Sequence, residues 1–589
     1  MGEDNAHRPD TNSRRMSEFM QNQIDGGEAV LEGIRQLGVD YVISSPGSEW
    51  PSLWDAMARQ TRDGTAGPQW LDCGHETLAV TMAAAYTHVT GRMQAVILHA
   101  GAGLLQGSMA LYAAANQETP MLVMSGESLE YAETEFDPGS QWYRNLGIPG
   151  GTQALVAPFL KFSQQVPSSA TLYQSVVRTG EISQRVPKGP TYLCVGMEIL
   201  KEGWTPPAQL RRVPPAPRQR PLDADLETVR KLIAEARCPL IVTENVGRDP
   251  AAAAALLDFA EVTGAGVVEG PASFFSSFPK DHVQFAGTKV HPNLCDVDLV
   301  LLIDARAPWY PPSDVPRDAA IVSIGENPLK TSMVYQVMEA ATYLEGDVET
   351  TLRLLTDQLE SDARNQAMSG DRRAYWTGRH SELTAKLDAD RQKSAGDAQI
   401  TVPLLAKVLD EALPDTTTFV DETIVYSVEL RDQLNWRNPF GFIRAPSGLG
   451  QSIGYGLGCK LALPERTVVV MMGDGTFIYN PVLAGLHFAE AHGLPLLVLV
   501  LDNGKYASMQ HMHNVFYPES VARETETYYG TDIKPAQYEK MADVVGGYGA
   551  RVERAADLPA AVEGALAALG NGKPAILNIA MANYDKWMR

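Results

Sequence analysis

The chain has 589 residues, of which 44% are hydrophobic and 20% are charged, and its formal net charge is −22. This composition is that of a globular protein, and the length exceeds what a single hydrophobic core supports. The negative charge argues against nucleic-acid and membrane partners, because nucleic acids and anionic membranes both recruit clustered Lys and Arg. The sequence also lacks an apolar run of the ~20 residues that span a bilayer.

The five cysteines are scattered, without a CxxC pair or zinc-finger spacing. This pattern favours a reducing compartment over a disulfide framework or a structural zinc site. Residues 1–24 are polar and lack the hydrophobic segment of a secretory signal, so they are predicted to form a disordered tail. We therefore expect a cytoplasmic protein.

Short apolar segments alternate with helical stretches in three parts of the chain, which is typical of parallel α/β sheets. The first part, residues 25–203, contains "YVISS", "MQAVILHA", "PMLVMSGE" and "PTYLCV" as predicted strands. A Pro-rich linker, 204–222, leads to a central part, 223–356, with "PLIVTEN", "GAGVVEG", "LVLLID" and "AAIVSIG". A polar, helical connection over 357–400 precedes the last part.

The last part, residues 401–589, contains the predicted strands "TTTFVDE", "RTVVVMMGD", "LPLLVLVLDN" and "PAILNIA". Its alternation of apolar strands and helical stretches matches that of the first part, so we expect the same architecture in both parts. The sequence as a whole predicts three doubly wound α/β domains, each with a parallel sheet.

Two predicted strands of the last domain end in oxygen-bearing side chains, at Asp474 and at Asn503. The carboxyl ends of parallel strands share one sheet edge, so both side chains can reach one ligand. Carboxylate and amide oxygens suit a hard cation such as Mg²⁺ or Ca²⁺. Gly473 and Gly475 let the backbone approach a diphosphate, and a helix that starts near Thr476 offers it N–H groups. A Mg²⁺–diphosphate cofactor is the resulting prediction.

The "GDG…DN" pattern resembles the diphosphate-binding motif of thiamine-diphosphate-dependent enzymes of the acetohydroxyacid (acetolactate) synthase, benzoylformate decarboxylase and pyruvate decarboxylase type. The resemblance implies that Asp474, Asn503 and the backbone of Lys505 bind the metal, with Tyr506 beside the cofactor. Asp502 is a departure, because the family commonly has Asn before the metal-binding Asn.

The same family requires a glutamate on its first domain, and "DCGHETLAVTMAAAYTHVTGR" resembles that segment at His75-Glu76. The implied role of Glu76 is to hold the aminopyrimidine of the cofactor and favour its 4′-imino tautomer. Glu76 alone would also suit the negative preference of a helix N-terminus. Pro46, in an early turn of this domain, is expected beside the same cofactor.

Further cofactor contacts are implied by two segments of the last domain. "APSGLGQSIGYGLG" is similar to the Gly-rich segment that bends the cofactor, with Leu449 as the apolar wedge next to Ser447 and Gly448. "VDETIVYS" is expected to line the diphosphate through Thr423 or Ile424.

The residues that face the substrate resemble two branches of the family. "SSPGSEWP" and "ILHAGAGLLQGSMAL" are similar to benzoylformate decarboxylase, which implies that Ser48 and His99 act on the substrate. A second histidine of that decarboxylase is not matched, and Pro311 stands about where it should be. "SQWYRNLGIP" is similar to the synthase and places Gln141 in the substrate channel.

The resemblance implies decarboxylation of a small 2-oxo acid to an enamine, which is protonated or coupled to an aldehyde or ketone. Three alternatives stay open: a synthase-like carboligase, a FAD-assisted oxidase, and a lyase that cleaves hydroxyketones or diketones without decarboxylation. FAD is possible, but no residue pattern indicates it. A non-enzymatic paralogue is disfavoured because Glu76 and Asp474 are both present. The family also implies a homodimer or homotetramer with active sites between subunits.

Overall fold

Three parallel sheets organise the protein in a computed structural model that describes residues 24–127, 142, 146–270, 272–309, 311–334, 336, 338–446 and 448–582. Helices flank each sheet, so the predicted fold class is confirmed. Within these residues, no helix combines the length and apolar character needed to cross a membrane.

The first sheet has six strands in the order β2-β1-β3-β4-β6-β5. The strands are β1 Tyr41–Ser45, β2 Gln69–Asp72, β3 Gln94–Leu98, β4 Met121–Glu127, β5 Phe162–Gln165 and β6 Pro190–Gly196. Its helices are α1 Gly26–Gln36, α2 Pro51–Asp63, α3 Glu76–Thr90, α4 Ala102–Asn116, α5 Thr152–Val156, α6 Ser169–Gln184 and α7 Met197–Lys201. Every residue of β3 is buried, as expected for an inner strand whose two faces are covered by helices.

The central sheet has five strands in the order β11-β10-β9-β7-β8. The strands are β7 Pro239–Thr243, β8 Gly266–Glu269, β9 Leu299–Ile303, β10 Ala320–Gly325 and β11 Thr342–Glu345. The associated helices are α8 Asp223–Glu235, α9 Pro250–Thr263, α10 Val348–Glu360 and α11 Ala363–Ser394. The polar helix α11 is joined to this domain by Arg372, whose guanidinium donates to the carbonyls of Ile233, Ala236 and Thr263.

The third sheet has six strands in the order β13-β12-β14-β15-β17-β16, which repeats the order of the first sheet. The strands are β12 Thr418–Glu422, β13 Phe442–Arg444, β14 Val468–Gly473, β15 Leu497–Asp502, β16 Tyr548–Val552 and β17 Ala575–Ala580. Its helices are α12 Val402–Ala412, α13 Ser427–Gln433, α14 Ser452–Ala462, α15 Asp474–Tyr479, α16 Val482–Ala491, α17 Ala507–Phe516, α18 Val521–Glu524 and α19 Leu558–Gly570. The repeated order agrees with the expectation of one architecture used twice.

The first and third domains pack through helices α3 and α14, and glycines on α14 make this approach possible. A Cβ on Gly454 would lie 1.9 Å from Thr81 Oγ1, and one on Gly458 would lie 2.4 Å from the Met82 carbonyl. Because neither side chain exists, the two helices approach closely. The first and third domains are thereby packed directly against each other.

Candidate active site

Glu76 and His99 meet across a glycine of the first domain. Glu76 is the first residue of α3, and His99 follows β3. A Cβ on Gly103 would lie 3.0 Å from Glu76 Oε1 and 2.8 Å from His99 Cβ, so only glycine fits between them. His75 caps α3, because its Nδ1 accepts a hydrogen bond from the Thr77 N–H at 3.2 Å. A carboxylate and an imidazole therefore share one pocket.

Glu49 holds the imidazole of His99, and sequence reasoning missed this residue. Its carboxylate is buried, lies 3.0 Å from His99 Nδ1 and accepts from the Ala100 N–H at 2.6 Å. The hydrogen bond that His99 Nδ1–H donates to Glu49, together with the charge of Glu49, raises the pKa of His99 above the usual 6.5 despite partial burial. With Nδ1 bound to Glu49, Nε2 is the nitrogen that remains for a ligand.

Two glycines make room for this Glu49–His99 pair. A Cβ on Gly47 would lie 1.7 Å from His99 Nδ1, and one on Gly126 would lie 2.1 Å from Glu49 Cγ. The signal for Glu49 was present in "PGSEWP", as an acidic residue directly before a buried Trp after a strand. Its partner could be identified only from the fold, since His99 is distant in sequence.

The structure describes only some of the other residues that were predicted to lie near the substrate or the cofactor. Ser48 is exposed in the turn that contains Gly47, and Pro46 is half-buried in it. Trp142 packs edge-on against His99 with ring centroids 6.0 Å apart. Its neighbour Gln141, like Ser447 of the Gly-rich segment, lies outside the described residues. The roles predicted for Ser48 and Gln141 therefore stay predictions.

Asp474 and Asn503 lie together at the carboxyl edge of the third sheet. Strands β14 and β15 are neighbours with Gly473 opposite Leu501, so the residues that follow them share this edge. The Gly504 N–H donates to Asp474 Oδ2 at 3.0 Å, and the Lys505 N–H donates to Asn503 Oδ1 at 3.1 Å. Helix α15 begins at Asp474, two residues before the expected start at Thr476.

Asp474 is a buried carboxylate that lies close to a second carboxylate. Burial, followed by the nearby carboxylate of Asp502, raises the pKa of Asp474 to about 7. Asp502 is itself bound by Arg551 and accepts from the Gly504 N–H at 3.1 Å. No lysine or arginine within the described ranges forms an ion pair with Asp474. A carboxylate that is buried and lacks a cationic partner is suited to binding a metal ion.

These residues fit a Mg²⁺–diphosphate group. The carboxylate of Asp474 and the amide oxygen of Asn503 are hard oxygen donors, while Asn503 Nδ2 donates to the Tyr426 hydroxyl at 3.2 Å. A Cβ on Gly475 would lie 2.3 Å from the ring of Tyr506, so this turn is tight. The described residues contain no group of three or more His, Cys, Asp or Glu side chains that could hold a metal. A Mg²⁺ ion at this position would need backbone or cofactor oxygens to complete its coordination.

Glu422, another residue that sequence reasoning missed, holds the Gly-rich segment. Its buried carboxylate accepts from the backbone N–H groups of Gln451 and Ser452, both at 3.0 Å, and from Asn480 Nδ2 at 3.0 Å. Burial raises the pKa of Glu422, and these donors oppose that effect. Glu422 thus fixes the start of α14.

The loop anchored by Glu422 presents Leu449 between two glycines. Gly448 and Gly450 have φ angles of +100° and +93°, a region that favours glycine. Leu449 between them is half-buried, and a Cβ on Gly448 would lie 3.2 Å from Met109 Sδ. The geometry suits a projecting apolar side chain.

Of the two residues expected to line the diphosphate, Thr423 has a structural contact. Its hydroxyl and its N–H both donate to Asp421, at 2.5 and 2.9 Å. Ile424 is 52% exposed and is free to contact a ligand at the sheet edge.

Comparison with known proteins identifies the two outer domains. Residues 24–142 match the N-terminal TPP-binding domain of thiamine pyrophosphate enzymes, and residues 426–579 match the C-terminal TPP-binding domain. Mitochondrial acetolactate synthase catalytic subunit of Aspergillus candidus is 24% identical over 574 residues, covering 90% of this chain and 76% of the relative. Benzoylformate decarboxylase of Pseudomonas aeruginosa is 24% identical over 569 residues, covering 92% and 96%.

A solved structure supports the same fold. The thiamine diphosphate-dependent 4-hydroxybenzoylformate decarboxylase of Rhodococcus jostii superimposes with a TM-score of 0.74 at 19% identity, covering 95% of this chain and 99% of that chain. The chain is thus similar to proteins of both branches that the motifs suggested.

Proposed function

For this chain, which belongs to the thiamine pyrophosphate enzymes, we propose cleavage or formation of the carbon–carbon bond next to a carbonyl, beginning with decarboxylation of a small 2-oxo acid. The observation that carries the proposal is the pocket of the first domain, where Glu76 and the Glu49–His99 pair meet across Gly103. Relatives named as acetolactate synthase and benzoylformate decarboxylase support both branches, carboligation and simple decarboxylation.

The outer domains would hold the cofactor from two sides. Glu76 would bind the aminopyrimidine, while Asp474, Asn503 and the backbone of Lys505 would bind Mg²⁺. Gly473, Gly475 and Thr476 would accommodate the diphosphate with Thr423, Ile424 and Tyr506, and Leu449 with Gly448 and Ser447 would support the ring system. When bound, thiamine diphosphate supplies an acidic carbon that adds to the substrate carbonyl and accepts the electrons released with CO₂.

The residues of the chain itself would then control protons and water. The carboxylate of Glu49 keeps His99 oriented and supports its protonated form, so His99 Nε2 can give a proton to the reacting carbon or its oxygen. Ser48 and Gln141 would orient the carboxylate of the substrate. Trp142 shields one side of the imidazole and limits the access of water.

The test is carbon-13 NMR of the protein with Mg²⁺, thiamine diphosphate and labelled pyruvate or labelled benzoylformate, with and without an added aldehyde. We expect labelled CO₂, and the second product separates the branches: a free aldehyde indicates a decarboxylase, and a hydroxyketone indicates a carboligase. If the cofactor binds but no 2-oxo acid gives CO₂, the proposal is wrong and a lyase acting on hydroxyketones or diketones takes its place.

We also propose that two copies of the chain form the active unit, with one site completed by both. Three large apolar side chains on α4, Leu105, Met109 and Tyr112, are 52%, 43% and 46% exposed and lie at helical spacing. An exposed apolar stripe of this kind marks an interaction surface. Leu105→Asp should shift the mass in solution towards the monomer and weaken cofactor binding, whereas Leu222→Asp, at an exposed leucine of the linker, should do neither.

We also propose that the protein is located in the cytoplasm. All five cysteines are unpaired, as is usual for proteins of a reducing compartment.

A further inference from the structure

Every strand of the central sheet leads into an acidic residue at its carboxyl edge. The residues are Glu244 after β7, Glu269 at the end of β8, Asp304 after β9, Glu326 after β10, and Glu345 and Asp347 at and after the end of β11. In an open α/β sheet this edge is where nucleotides and flavins bind. Its chemistry therefore indicates which ligand the central domain can accept.

Two of these carboxylates are already fully engaged. Glu244, which is completely buried, accepts from the N–H groups of Arg306 and Ala307 at 2.9 and 3.0 Å. Glu269 accepts from the Ser277 N–H at 2.6 Å and forms an ion pair with Arg431 of the third domain at 3.2 Å. Glu244 therefore stabilises the central domain itself, and Glu269 joins the central domain to the third domain.

Three more form ion pairs with basic groups around the edge. Asp304 pairs with Arg248 at 3.2 Å, and Glu326 pairs with Lys188 of the first domain at 3.1 Å. Asp347 lies 3.4 Å from Arg218 of the linker. The edge thus contacts the first domain, the linker and the third domain.

A cavity of about 580 Å³ remains between this edge and the first domain. Its lining has six acidic side chains and three lysine or arginine side chains, together with His88, whose pKa is lowered to about 3 by burial. The acidic ones are Glu118, Asp249, Asp304, Glu326, Asp347 and Glu349, and the basic ones are Lys188, Arg218 and Arg248. Each of the three basic side chains already forms an ion pair with one of these carboxylates, so none is left unpaired to bind an anion that enters the cavity.

The turn after β7 is also unsuited to a diphosphate. Such a ligand needs glycines that let it approach and a free helix N-terminus. Here Gly247 packs on the protein itself, since a Cβ would lie 1.8 Å from the Ser276 carbonyl. The N-terminus of α9 is capped by Asp249, whose carboxylate accepts from the Ala251 N–H at 2.9 Å. The carboxylate of Asp249 thus already satisfies an N–H group that a phosphate would need at this helix N-terminus.

We propose that the central domain binds neither a flavin nor an adenine nucleotide, and that its sheet edge instead docks the two cofactor-binding domains. The FAD-assisted oxidase is thereby excluded as the function. This inference is independent of the proposed function, because its test measures binding and not turnover.

The first experiment uses the full chain purified with Mg²⁺ and thiamine diphosphate. We expect no flavin absorbance in the visible spectrum, and no retention of FAD or ADP in equilibrium dialysis at millimolar ligand. Stoichiometric retention of either ligand would overturn the proposal.

A second experiment tests the cause of the exclusion. The triple variant Asp249→Asn, Glu326→Gln, Glu349→Gln removes three charges from the cavity, and Asn still caps α9. We expect it to bind ADP about tenfold more tightly or better, because Lys188 and Arg218 each lose a carboxylate partner and can pair with the phosphates. Glu345→Gln, at the exposed end of β11, serves as the control and should change nothing. If the triple variant folds, retains thiamine diphosphate and binds ADP no better than the wild type, the electrostatic explanation is wrong.

Discussion

The carboxyl edges of the third and central sheets have the same topological position, but they differ in whether their acidic side chains have basic partners. At the third sheet, Asp474 is buried beside a second carboxylate, without an ion-pair partner in the described residues. At the central sheet, Asp304 and Glu326 have basic partners, and Glu269 has Arg431. A buried carboxylate without a basic partner at such an edge is available to bind a cation. Carboxylates that form ion pairs with basic residues of neighbouring domains instead join those domains.

The largest effect is expected from Glu76→Ala, which removes the acid group of the first-domain pocket. We expect kcat to fall by about 10²–10⁴-fold, the usual range for the loss of a positioned proton-transfer group. Steady-state turnover of the identified 2-oxo acid measures it. The control is Glu524→Ala, which removes an exposed first-turn carboxylate from α18 and should leave turnover unchanged. Near wild-type turnover of Glu76→Ala would contradict the cofactor assignment.

The docking role of the central edge is tested by breaking one buried ion pair. Arg431→Met leaves the carboxylate of Glu269 buried without its counter-charge, which should destabilise the domain contact by about 3–5 kcal/mol. Hydrogen exchange at the N–H groups of Ser277 and Phe278, both bound to Glu269, should increase.

The matched control for this prediction replaces both charges. The double variant Arg431→Met, Glu269→Gln should recover much of the lost stability, because no unpaired charge remains and the amide oxygen can still accept from the Ser277 and Phe278 N–H groups. Equal exchange rates in the single variant and the wild type would show that the pair does not join the domains.

A smaller, pH-dependent effect is expected from Glu49→Gln. Glu49 raises the pKa of His99, so the folded protein favours the protonated imidazole. The resulting stabilisation is present below about pH 6.5, the unfolded value, and is lost as the pH rises through the folded pKa. In Glu49→Gln the pKa of His99 should fall, which NMR titration of the imidazole measures directly.

The pH profile of kcat supplies a second readout for Glu49→Gln. A limb assigned to His99 should move to lower pH together with the NMR value. An unchanged NMR titration would show that Glu49 has only a packing role.

Sequence patterns predicted inner strands better than edge strands. β3, β4, β14 and β15 are fully or nearly fully buried, so they appear as continuous apolar segments such as "LPLLVLVLDN". The strands that were not predicted, β2, β5, β11, β13 and β16, all lie at sheet edges. β2 and β5, for example, are partly exposed and polar, and therefore lack such a pattern.

The candidate site divides along a similar line. Asp474, Asn503 and Glu76 were predicted as site residues because each lies in a short local motif with its glycines or its helix start. Glu49 and Glu422 were missed because their partners, His99 and Ser452, come from other elements of the chain. A buried carboxylate has no sequence signal of its own until its hydrogen-bond donors are known.

The sequence by itself determined the three-domain α/β class, the repeated outer architecture and the motifs at the strand ends, since these depend on local periodicity and turn chemistry. Only the tertiary structure decided which carboxylates have a basic partner. The pairing of Glu269 with Arg431, and of Glu49 with His99, depends on distances between residues far apart in the chain. Electrostatic energies change steeply with those distances and with burial, and neither can be read from residue order.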